Sequence, residues 1–499
     1  MARPSLTAVN TTTSSGAAPP DGVRGGGAAV IETELYAPDK KIYPRAVTGW
    51  FAAWRWALVW ATQIVFYGAP WLAWNDRQAV LFDIVHRKFY IFGLVFWPQD
   101  IIYLALLLII AALSLFLFTA VAGRLWCGYA CPQTVYTEVY MWIERVIEGD
   151  RVQRMRLDRG DWSPRKLALK TVKHAVWIAL ALWTGFTFVG YVTPIRELWA
   201  EVMSLIPWIG AGPGPAPGPW ETFWMLFYGF ATYGNAGWMR EQVCIYMCPY
   251  ARFQSAMFDQ DTLIITYDKV RGEPRGSRAR LADPRALGLG DCVDCNICVQ
   301  VCPTGIDIRQ GLQYQCIGCA ACVDGCDQVM DKMGYPHGLI RYSSQHAVEN
   351  RRTGRQMLAR ALRPRVLVYA AILWAIVVAA AVGLWQKVPL KVDVIRDRTV
   401  ISREAAGGDV ENVYRLMIIN TTEQERVFDI EATGLPTIHL DGETHVTVPA
   451  ADSRLVPLRV RVHVAPGSVA PGQHKIHFLV HAHDDPRVYR NESSIFIAR

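Results

Sequence analysis

The chain has 499 residues, 52% of them hydrophobic, and its formal net charge at pH 7 is +7. This length allows several domains, and so high an apolar content, with 19 tryptophans, favours membrane segments over an ordinary soluble protein. The charge does not indicate nucleic-acid binding, because the basic residues border predicted membrane helices and no nucleic-acid-binding module accompanies them. The sequence also lacks a CxxCH motif, a P-loop and a GxGxxG turn between a strand and a helix, so covalent haem, nucleotide and flavin binding have no support.

Residues 1–46 are predicted to be a disordered cytoplasmic segment, because their first thirty or so residues are rich in Gly, Ala, Pro, Ser and Thr. No apolar core for a cleavable signal peptide occurs there. Five later stretches approach the roughly 20 apolar residues that a bilayer crossing needs. They are residues 50–74, 101–123, 174–193, 220–239 and 365–386. We therefore predict about five transmembrane α-helices, four within residues 47–250 and the fifth within residues 364–387.

The basic residues predict the orientation, since Lys and Arg accumulate on the cytoplasmic side of a membrane protein. They are frequent between the second and third predicted spans, from Arg124 to Lys170, whereas residues 195–219 contain only Arg196. The amino terminus and residues 251–363 are therefore expected inside the cell, and residues 388–499 outside.

The second and fourth predicted spans are each followed by a CxxxCP motif. The cysteines are Cys127 and Cys131 in the first motif and Cys244 and Cys248 in the second. Their matching positions indicate an internal repeat of two transmembrane hairpins. If each helix continues past the membrane, the i, i+4 spacing places both sulfurs on one face, and the two faces together would offer four thiolates.

Three roles are open for these four thiols. Sulfur ligands favour Cu(I), and the thioether of Met247 lies within the second motif. Dithiol–disulfide chemistry needs thiolates of lowered pKa, a charge that the nearby Arg124 and Arg240 would favour. The third role is that of buried structural cysteines, which act as small hydrophobic side chains. The duplication favours a redox or metal role.

Residues 251–363 contain two cysteine quartets, both spaced CxxCxxCxxxC. They are Cys292, Cys295, Cys298 and Cys302, followed by Pro303, and then Cys316, Cys319, Cys322 and Cys326, followed by Asp327. A bacterial two-cluster ferredoxin has this pattern, and the fourth cysteine of each of its quartets ligates the other cluster. The prediction is therefore a cytoplasmic ferredoxin-type domain with two [4Fe-4S] clusters. One would bind Cys292, Cys295, Cys298 and Cys326, and the other Cys316, Cys319, Cys322 and Cys302.

Two alternatives to iron–sulfur clusters are weaker. A structural zinc ion takes four ligands from two separated pairs, whereas each quartet here has a third closely spaced cysteine and a fourth. Disulfides need an oxidising compartment, but the predicted topology places all twelve cysteines on the reducing side. Asp327 departs from the proline that usually follows such a quartet, so the two cluster potentials can differ.

Residues 388–499 alternate between apolar and polar positions and are interrupted by Gly, Pro, Asn and Asp turns. About seven short strands are predicted, at residues 391–400, 413–419, 426–432, 445–448, 455–464, 475–481 and 494–498. The pattern is typical of an all-β immunoglobulin-like sandwich, here without a cysteine for an inter-sheet disulfide.

Seven histidines of this tail could in principle bind metal, although scattered surface or strand histidines explain them more simply. They are His439, His445, His463, His474, His477, His481 and His483. His86 and His174, near the predicted spans, are likewise better explained as interfacial or hydrogen-bonded residues than as ligands.

Together, the twin CxxxCP motifs, the two quartets, the five spans and the outer sandwich resemble the FixG/CcoG/RdxA family, accessory proteins for assembly of the bacterial cbb3-type cytochrome c oxidase. The likeness runs from about Leu35 to the carboxyl terminus. It implies a multi-pass protein of the bacterial cytoplasmic (inner) membrane with a periplasmic sandwich. It also implies reduction of Cu(II) to Cu(I) for the copper site of the oxidase, with copper-delivery and oxidase assembly factors as partners. The eight quartet cysteines match cluster ligands of the family.

Two other functions are open. Other membrane polyferredoxins with twin CxxxCP motifs are thought to carry electrons from quinol to a periplasmic reductase. Alternatively, the protein is a non-redox assembly scaffold whose sandwich docks partners. The sequence does not define the cytoplasmic electron donor.

Overall fold

The computed structural model describes residues 41–205, 215–280, 282–284, 286–349, 362–397, 402–405, 409–463 and 470–498. The predicted disordered segment, residues 1–46, lies almost entirely outside the described residues.

The α-helices are α1 (Trp50–Gly68), α2 (Ile101–Ala122), α3 (Leu125–Tyr129), α4 (Pro132–Glu148), α5 (Arg151–Arg159), α6 (Pro164–Val189), α7 (Ile195–Ser204), α8 (Pro219–Thr232), α9 (Pro249–Met257), α10 (Lys269–Gly272), α11 (Ile297–Gln300), α12 (Ala321–Met333), α13 (Gln345–Glu349) and α14 (Pro364–Trp385). Two π-helical segments, Tyr233–Met239 and Val243–Met247, separate α8 from α9.

The strands fall into three groups along the chain. They are β1 (Ala73–Trp74), β2 (Arg77–Gln78), β3 (Val80–Asp83), β4 (Lys88–Ile91) and β5 (Leu94–Phe96), then β6 (Ile264–Tyr267) and β7 (Ile340–Ser343), then β8 (Leu390–Arg396), β9 (Arg403–Glu404), β10 (Asp409–Asn420), β11 (Arg426–Thr433), β12 (Ile438–Gly442), β13 (His445–Val448), β14 (Ser453–His463), β15 (Gly472–Ala482) and β16 (Tyr489–Ala498).

Three helices within the described residues are long and apolar enough to cross a membrane. They are Pro98–Ala122, Pro164–Val189 and Pro364–Trp385, which overlap the second, third and fifth predicted spans. The first and fourth predicted spans are helical, as α1 and as α8 with the π-helical segment after it, but they are not among these three. The five-span topology therefore stays a prediction.

The first predicted span, residues 50–74, is too long. Its helix ends at Gly68, and the chain then forms the hairpin β1–β2 and the three-stranded sheet β3–β4–β5. The strands of these sheets have two to four residues each, which is too short for alternating polarity to reveal them.

The carboxyl-terminal region is a two-sheet all-β sandwich, as the sequence predicts. One sheet has the order β12-β14-β10-β8, with β9 also paired to β10, and the other has the order β13-β11-β15-β16. The core between them includes the fully buried Tyr414, Phe428, Phe478 and Phe496. Each of the seven predicted strands overlaps an observed one. The sequence analysis missed the two-residue β9 and the five-residue β12, which has only two apolar positions, Ile438 and Leu440.

The small sheet and the sandwich meet at one end of helix α2. Asp100, just before this helix, is buried and forms ion pairs with Lys391 Nζ at 2.6 Å and Lys387 Nζ at 3.2 Å. At the other end of α2, the backbone NH of Leu263 donates to the carbonyl of Val121, next to the cysteine-rich segments. Since 22 helical residues span about 33 Å, the sandwich and the cysteine-rich segments lie at opposite ends of this helix.

Buried ion pairs hold α4, α5, α6 and the segment after α8 together at the cysteine-rich end. The carboxylate of Glu144 lies 2.9 Å from both Arg154 NH1 and Arg240 NH2. Glu148, one turn later, pairs with Lys170 and Lys173 at 2.9 Å each. Because a buried charge without its partner is costly, these pairs fix the position of the chain around Arg240 relative to α4.

The amino terminus of α1 is capped by a side chain from the ferredoxin-type segment. Asp324, in α12, accepts hydrogen bonds from the backbone NH of Ala52 at 2.7 Å and of Phe51 at 3.2 Å. Free NH groups in the first turn of a helix favour such a carboxylate. At Gly49 a Cβ atom would lie 2.4 Å from the Asp324 carboxyl carbon, so the contact needs a residue without a side chain.

Candidate functional site

The eight quartet cysteines line two neighbouring cavities. The first thiol cavity is lined by Cys292, Cys295, Cys298 and Cys326. The second thiol cavity is lined by Cys302, Cys316, Cys319 and Cys322, and Cys298 forms part of its wall too. The fold thus groups three cysteines of each quartet with the fourth cysteine of the other, which is the arrangement that crossed ligation requires.

A matched pair of turns produces this grouping. Asn296, after Cys295, and Ala320, after Cys319, both have left-handed backbones, with φ of 56° and 57° and ψ of 14°. Each turn leads directly into a helix, α11 or α12, that carries the third cysteine of its quartet. A non-glycine residue in this conformation costs about 1 kcal/mol, so its occurrence at both positions indicates a shared constraint on the thiol positions.

The thiols of each cavity influence one another electrostatically. Burial raises the pKa of Cys326 to about 12, with further increases from Cys298, Cys292 and Cys295. Burial also raises the pKa of Cys316 to about 12, and its neighbours Cys319 and Cys302 increase it further. Thiols with so high a pKa ionise only when a bound cation compensates the charge, which fits cavities that hold a metal cluster.

The spacing of these sulfurs disfavours a single zinc ion. Among the described residues, no three cysteines have all their sulfurs within 4.8 Å of one another. The one group of three donors that is this compact consists of His and Asp side chains. Zn–S bonds of about 2.3 Å would bring the ligand sulfurs to within about 4 Å of each other. Four more widely spaced thiols around each cavity fit a [4Fe-4S] cluster better, because its irons are spread over a cube.

Arg309 lines the first thiol cavity and stabilises the turn beside it. The sequence analysis did not identify this residue. Its buried guanidinium forms ion pairs with Asp294 at 2.6 Å and Asp307 at 2.7 Å and donates a hydrogen bond to the side chain of Asn296. The arginine therefore fixes the turn between the first cysteines and places a positive charge beside the cavity. The single arginine in a loop carried no signal in the sequence.

The CxxxCP motifs do not lie on continuous helices, so the condition for placing both sulfurs of a motif on one helical face is not met. Cys127 lies in the short helix α3, whereas Cys131 has an extended backbone and precedes α4. The second motif repeats this break, with Cys244 in a π-helical segment and Cys248, again extended, preceding α9. In both motifs the proline after the second cysteine is the first residue of a new helix, a position that suits its fixed φ. The structural repeat itself therefore extends to the backbone conformation.

The four CxxxCP thiols lie close enough to affect one another. Burial raises the pKa of Cys244 to about 12, and Cys131, Cys127 and Cys248 increase it further. Burial likewise raises the pKa of Cys127 to about 11, partly offset by a hydrogen bond with Gln254. Lowered thiol pKa values, which the dithiol–disulfide hypothesis needs, are therefore not found at these two cysteines.

The two arginines near the motifs have other partners. Arg124 donates to the backbone carbonyls of Tyr314 and Ala251. Arg240 pairs with Glu144, as described above, and donates to the carbonyl of Gly237 at 3.0 Å. Both guanidinium groups thus hold backbone and helices in place. Burial raises the pKa of Cys127 and of Cys244 by more than the charge of Arg124 lowers it.

The first CxxxCP turn packs directly on the second thiol cavity. A Cβ atom at Gly128 would lie 2.7 Å from Cys319 Cα and 2.8 Å from Cys319 N, so the two backbones touch. Cys127 packs in the same apolar cluster as Cys319 and Ile317. Cys244 and Cys319 line a common small cavity. Both motifs therefore adjoin the quartet that includes Cys319.

A tyrosine completes this junction. The hydroxyl of Tyr314 donates to the carbonyl of Ile245, inside the second motif, at 2.8 Å, while its own carbonyl accepts from Arg124. Neither Gly128 nor Tyr314 was identified from the sequence. Their importance comes from contacts between segments almost 200 residues apart, although the glycine inside CxxxCP is a weak signal of close backbone approach.

Two histidines considered as ligands are hydrogen-bonded elsewhere. His174 Nδ1 lies 3.0 Å from the hydroxyl of Tyr233, and its ring stacks on Trp238. His86 lies in the loop between β3 and β4 and is exposed. Its Nδ1 is 2.7 Å from the carboxylate of Asp83, the last residue of β3. The simpler interpretation made from the sequence agrees with both environments.

Family models match three parts of the chain. A 4Fe-4S dicluster domain matches residues 239–345, which include all eight quartet cysteines and the second CxxxCP motif. A 4Fe-4S binding domain matches residues 104–148, which include the first CxxxCP motif. The Ig-like fold at the C-terminus of FixG matches residues 380–499. The fold and site thus define an iron–sulfur electron-transfer protein with an immunoglobulin-like carboxyl-terminal domain.

Curated relatives resemble the chain over most of its length. Nitrogen fixation protein FixG of Rhizobium meliloti is 37% identical over 485 residues, covering 89% of this chain and 90% of the relative. Protein RdxA of Cereibacter sphaeroides is 39% identical over 430 residues, covering 84% of this chain and 88% of the relative. The chain therefore belongs to the FixG/RdxA family. A crystal structure of a FixG-related protein from Vibrio parahaemolyticus is 24% identical, with a TM-score of 0.20, and covers 22% of this chain and 97% of that one.

The junction at Gly128 leads to a stability prediction. Gly128→Ala should lower the melting temperature of the purified protein, because the added Cβ meets the Cys319 backbone and such overpacking costs about 1–3 kcal/mol. Thermal unfolding followed by cluster absorbance measures the effect.

The matched control is Gly234→Ala, since a Cβ there has nothing within 4 Å. Equal melting temperatures for the two variants would contradict a close contact between the first CxxxCP turn and the second thiol cavity.

Proposed function

We propose that this protein reduces Cu(II) to Cu(I) at the CxxxCP thiols and supplies Cu(I) for assembly of a cbb3-type cytochrome c oxidase. The observation that carries the proposal is the backbone contact between Gly128 and Cys319. It brings the candidate copper ligands next to a cavity suited to an electron-carrying cluster. Membership of the FixG/RdxA family supports the oxidase as the destination of the copper.

The two thiol cavities are the proposed sites of the two [4Fe-4S] clusters. Cys292, Cys295, Cys298 and Cys326 would hold one, and Cys302, Cys316, Cys319 and Cys322 the other. Each cluster, when bound, accepts and releases single electrons. Cys298 borders both cavities, which keeps the two sites adjacent. The exposed Cys295 marks the first cavity as the side open to a soluble donor.

The CxxxCP thiols would favour the reduced ion. Sulfur is a soft ligand and prefers Cu(I), so binding there makes uptake of one electron by Cu(II) more favourable. No three of Cys127, Cys131, Cys244 and Cys248 have all their sulfurs within 4.8 Å of one another. A bound copper ion would therefore contact at most two of these sulfurs at once, unless the two turns move together.

The proposed location is the bacterial inner membrane, with the ferredoxin-type region in the cytoplasm and the sandwich in the periplasm. The separation of these two regions by the length of α2 supports it, together with the basic residues around α4 and α5. Copper-delivery and oxidase assembly factors are the proposed partners of this membrane protein.

Iron content tests the crossed ligand sets. The double variant Cys292→Ala/Cys326→Ala should drop from about eight to about four iron atoms per chain, because both cysteines belong to one proposed [4Fe-4S] site. Cys292→Ala/Cys302→Ala should lose nearly all iron, since it damages both sites. Ligation within each quartet would give the reverse pattern, which iron and acid-labile sulfide assays would reveal.

Copper reduction tests the role of the CxxxCP thiols. We replace Cys127, Cys131, Cys244 and Cys248 by Ser. This variant should keep its cluster absorbance, but its rate of Cu(II) reduction should fall by at least about tenfold, because the soft ligands are gone. A cuprous chelator under anaerobic conditions measures the Cu(I) formed.

Tyr246→Ser is the matched control, because this exposed residue lies inside the second motif but offers no thiol. An unchanged rate in the four-serine variant, with clusters intact, would remove these cysteines from the mechanism.

A cavity favours quinol as an alternative electron donor. It has a volume of ≈ 400 Å³ and lies between α1, α4 and the ferredoxin-type segment. Ala53, Trp56, Met141 and Trp142 form an apolar wall, and the segment after Cys298 contributes Val301 and Pro303. The rest of the lining is strongly charged and includes Arg45, Arg55, Glu138, Arg145 and Arg154, whose side chains could bind the oxygens of a quinol while the apolar wall contacts its ring. Quinol oxidised here would pass electrons to the adjacent cysteine-rich region.

Quinol reduction of the clusters tests this alternative. Reduced quinol without a soluble donor should bleach the cluster absorbance, and Ala53→Trp should slow the bleaching because its side chain fills the cavity. Ala57→Trp, one turn further along α1 and outside the cavity wall, is the control. If quinol does not bleach the wild type, or both variants bleach equally, the cavity is not a quinol site.

A further inference from the structure

The outer sandwich brings histidines from separate strands around one carboxylate. Asp429, in β11, lies directly opposite His445 of β13 on one side and opposite His481 of β15 on the other. Residues opposite each other in a sheet project from the same face, so these three side chains converge. His483, just after β15, reaches the same carboxylate.

The distances describe a compact group, here called the Asp429 cluster (Asp429, His445, His481 and His483). Asp429 Oδ1 lies 2.5 Å from His445 Nδ1, and Oδ2 lies 2.8 Å from His483 Nδ1. His481 Nε2 is 3.6 Å from Oδ2. One donor atom each from Asp429, His445 and His483 all lie within 4.8 Å of one another.

We propose that the Asp429 cluster binds a divalent transition-metal ion, and that it binds Cu²⁺ more tightly than Zn²⁺. Imidazole nitrogens and a carboxylate oxygen are the donors that these ions prefer, and affinity among the divalent ions peaks at Cu²⁺. Bonds of about 2.0–2.2 Å place neighbouring donors within about 4 Å of one another, close to the spacing found here. Small outward movements of two side chains would admit the ion.

Burial and charge within the cluster suit this role. The Asp429 side chain is 15% exposed, whereas those of His445 and His483 are 73% and 67% exposed, so solvent ions can reach the imidazoles. Burial alone would raise the pKa of Asp429, but hydrogen bonds from His483 and His445 lower it overall. The carboxylate is thus ionised at neutral pH and ready to act as an anionic ligand.

The Asp429 cluster differs from an ordinary histidine–carboxylate pair in the same domain. His463 Nδ1 lies 2.7 Å from Asp409, a simple pair of one histidine with one carboxylate between β14 and β10. Asp429 instead has three histidines around it, more than a carboxylate needs for a hydrogen-bond partner. None of the four cluster residues belongs to the sandwich core, so stability of the fold does not explain their convergence.

The experiment uses the full-length protein with oxidised clusters, to which one equivalent of Cu²⁺ is added before electron paramagnetic resonance. We expect a Cu²⁺ signal with nitrogen hyperfine structure from imidazole, which decreases when excess Zn²⁺ competes and persists with excess Mg²⁺. His445→Ala/His483→Ala should abolish the nitrogen-coupled signal. His463→Ala should leave it unchanged.

An equal nitrogen-coupled signal in the double variant and in His463→Ala would overturn the proposal, as would its absence from the wild type. Thermal unfolding verifies that the sandwich is intact, and His445→Gln/His483→Gln replaces the alanine variant if it is not. The same measurement on the protein with Ser at positions Cys127, Cys131, Cys244 and Cys248 separates this site from copper binding or reduction at the CxxxCP thiols, because Cu(I) formed there gives no signal. The site can therefore stand even if the proposed reductase activity does not.

Discussion

The contact between the Gly128 and Cys319 backbones is the constraint on which the arrangement of the cysteines depends. With no side chain at position 128, a turn that follows α2 touches the loop between two candidate cluster ligands. Arg124 and Tyr314 hold the same junction by backbone hydrogen bonds, and the Glu144 ion pairs position the chain before the second motif. The helices around the CxxxCP motifs and the ferredoxin-type segment therefore pack as one structural unit, rather than as two domains joined by a linker.

In this unit the proposed cluster sites and the proposed copper site are neighbours that share no ligands. The quartet cysteines line two cavities within the ferredoxin-type segment, whereas the CxxxCP cysteines lie at helix breaks on the border of the second cavity. Prolines at the helix starts make those breaks reproducible in both halves of the repeat. The four thiols are partly buried but surround no compact single-ion site within the described residues, which suits transient rather than permanent metal binding.

Local patterns predicted much of this protein, and long-range contacts account for what they missed. The quartet spacing predicted which cysteines would gather, and alternation located seven sandwich strands, because both signals lie within a few residues. The sequence did not decide whether each helix continues through CxxxCP, and in both motifs it does not, because the following proline begins a new helix. The Asp429 cluster was inaccessible to sequence reasoning, because only strand register identifies which of seven scattered histidines face the same carboxylate.

The Asp324 cap on α1 has a consequence for how the chain matures. Ribosomes release α1 some 270 residues before the carboxylate that caps its amino-terminal turn, so this turn stays uncapped until α12 has been made. That carboxylate sits on the same helix as Cys322 and Cys326, so its final position depends on the metal-binding loops having closed.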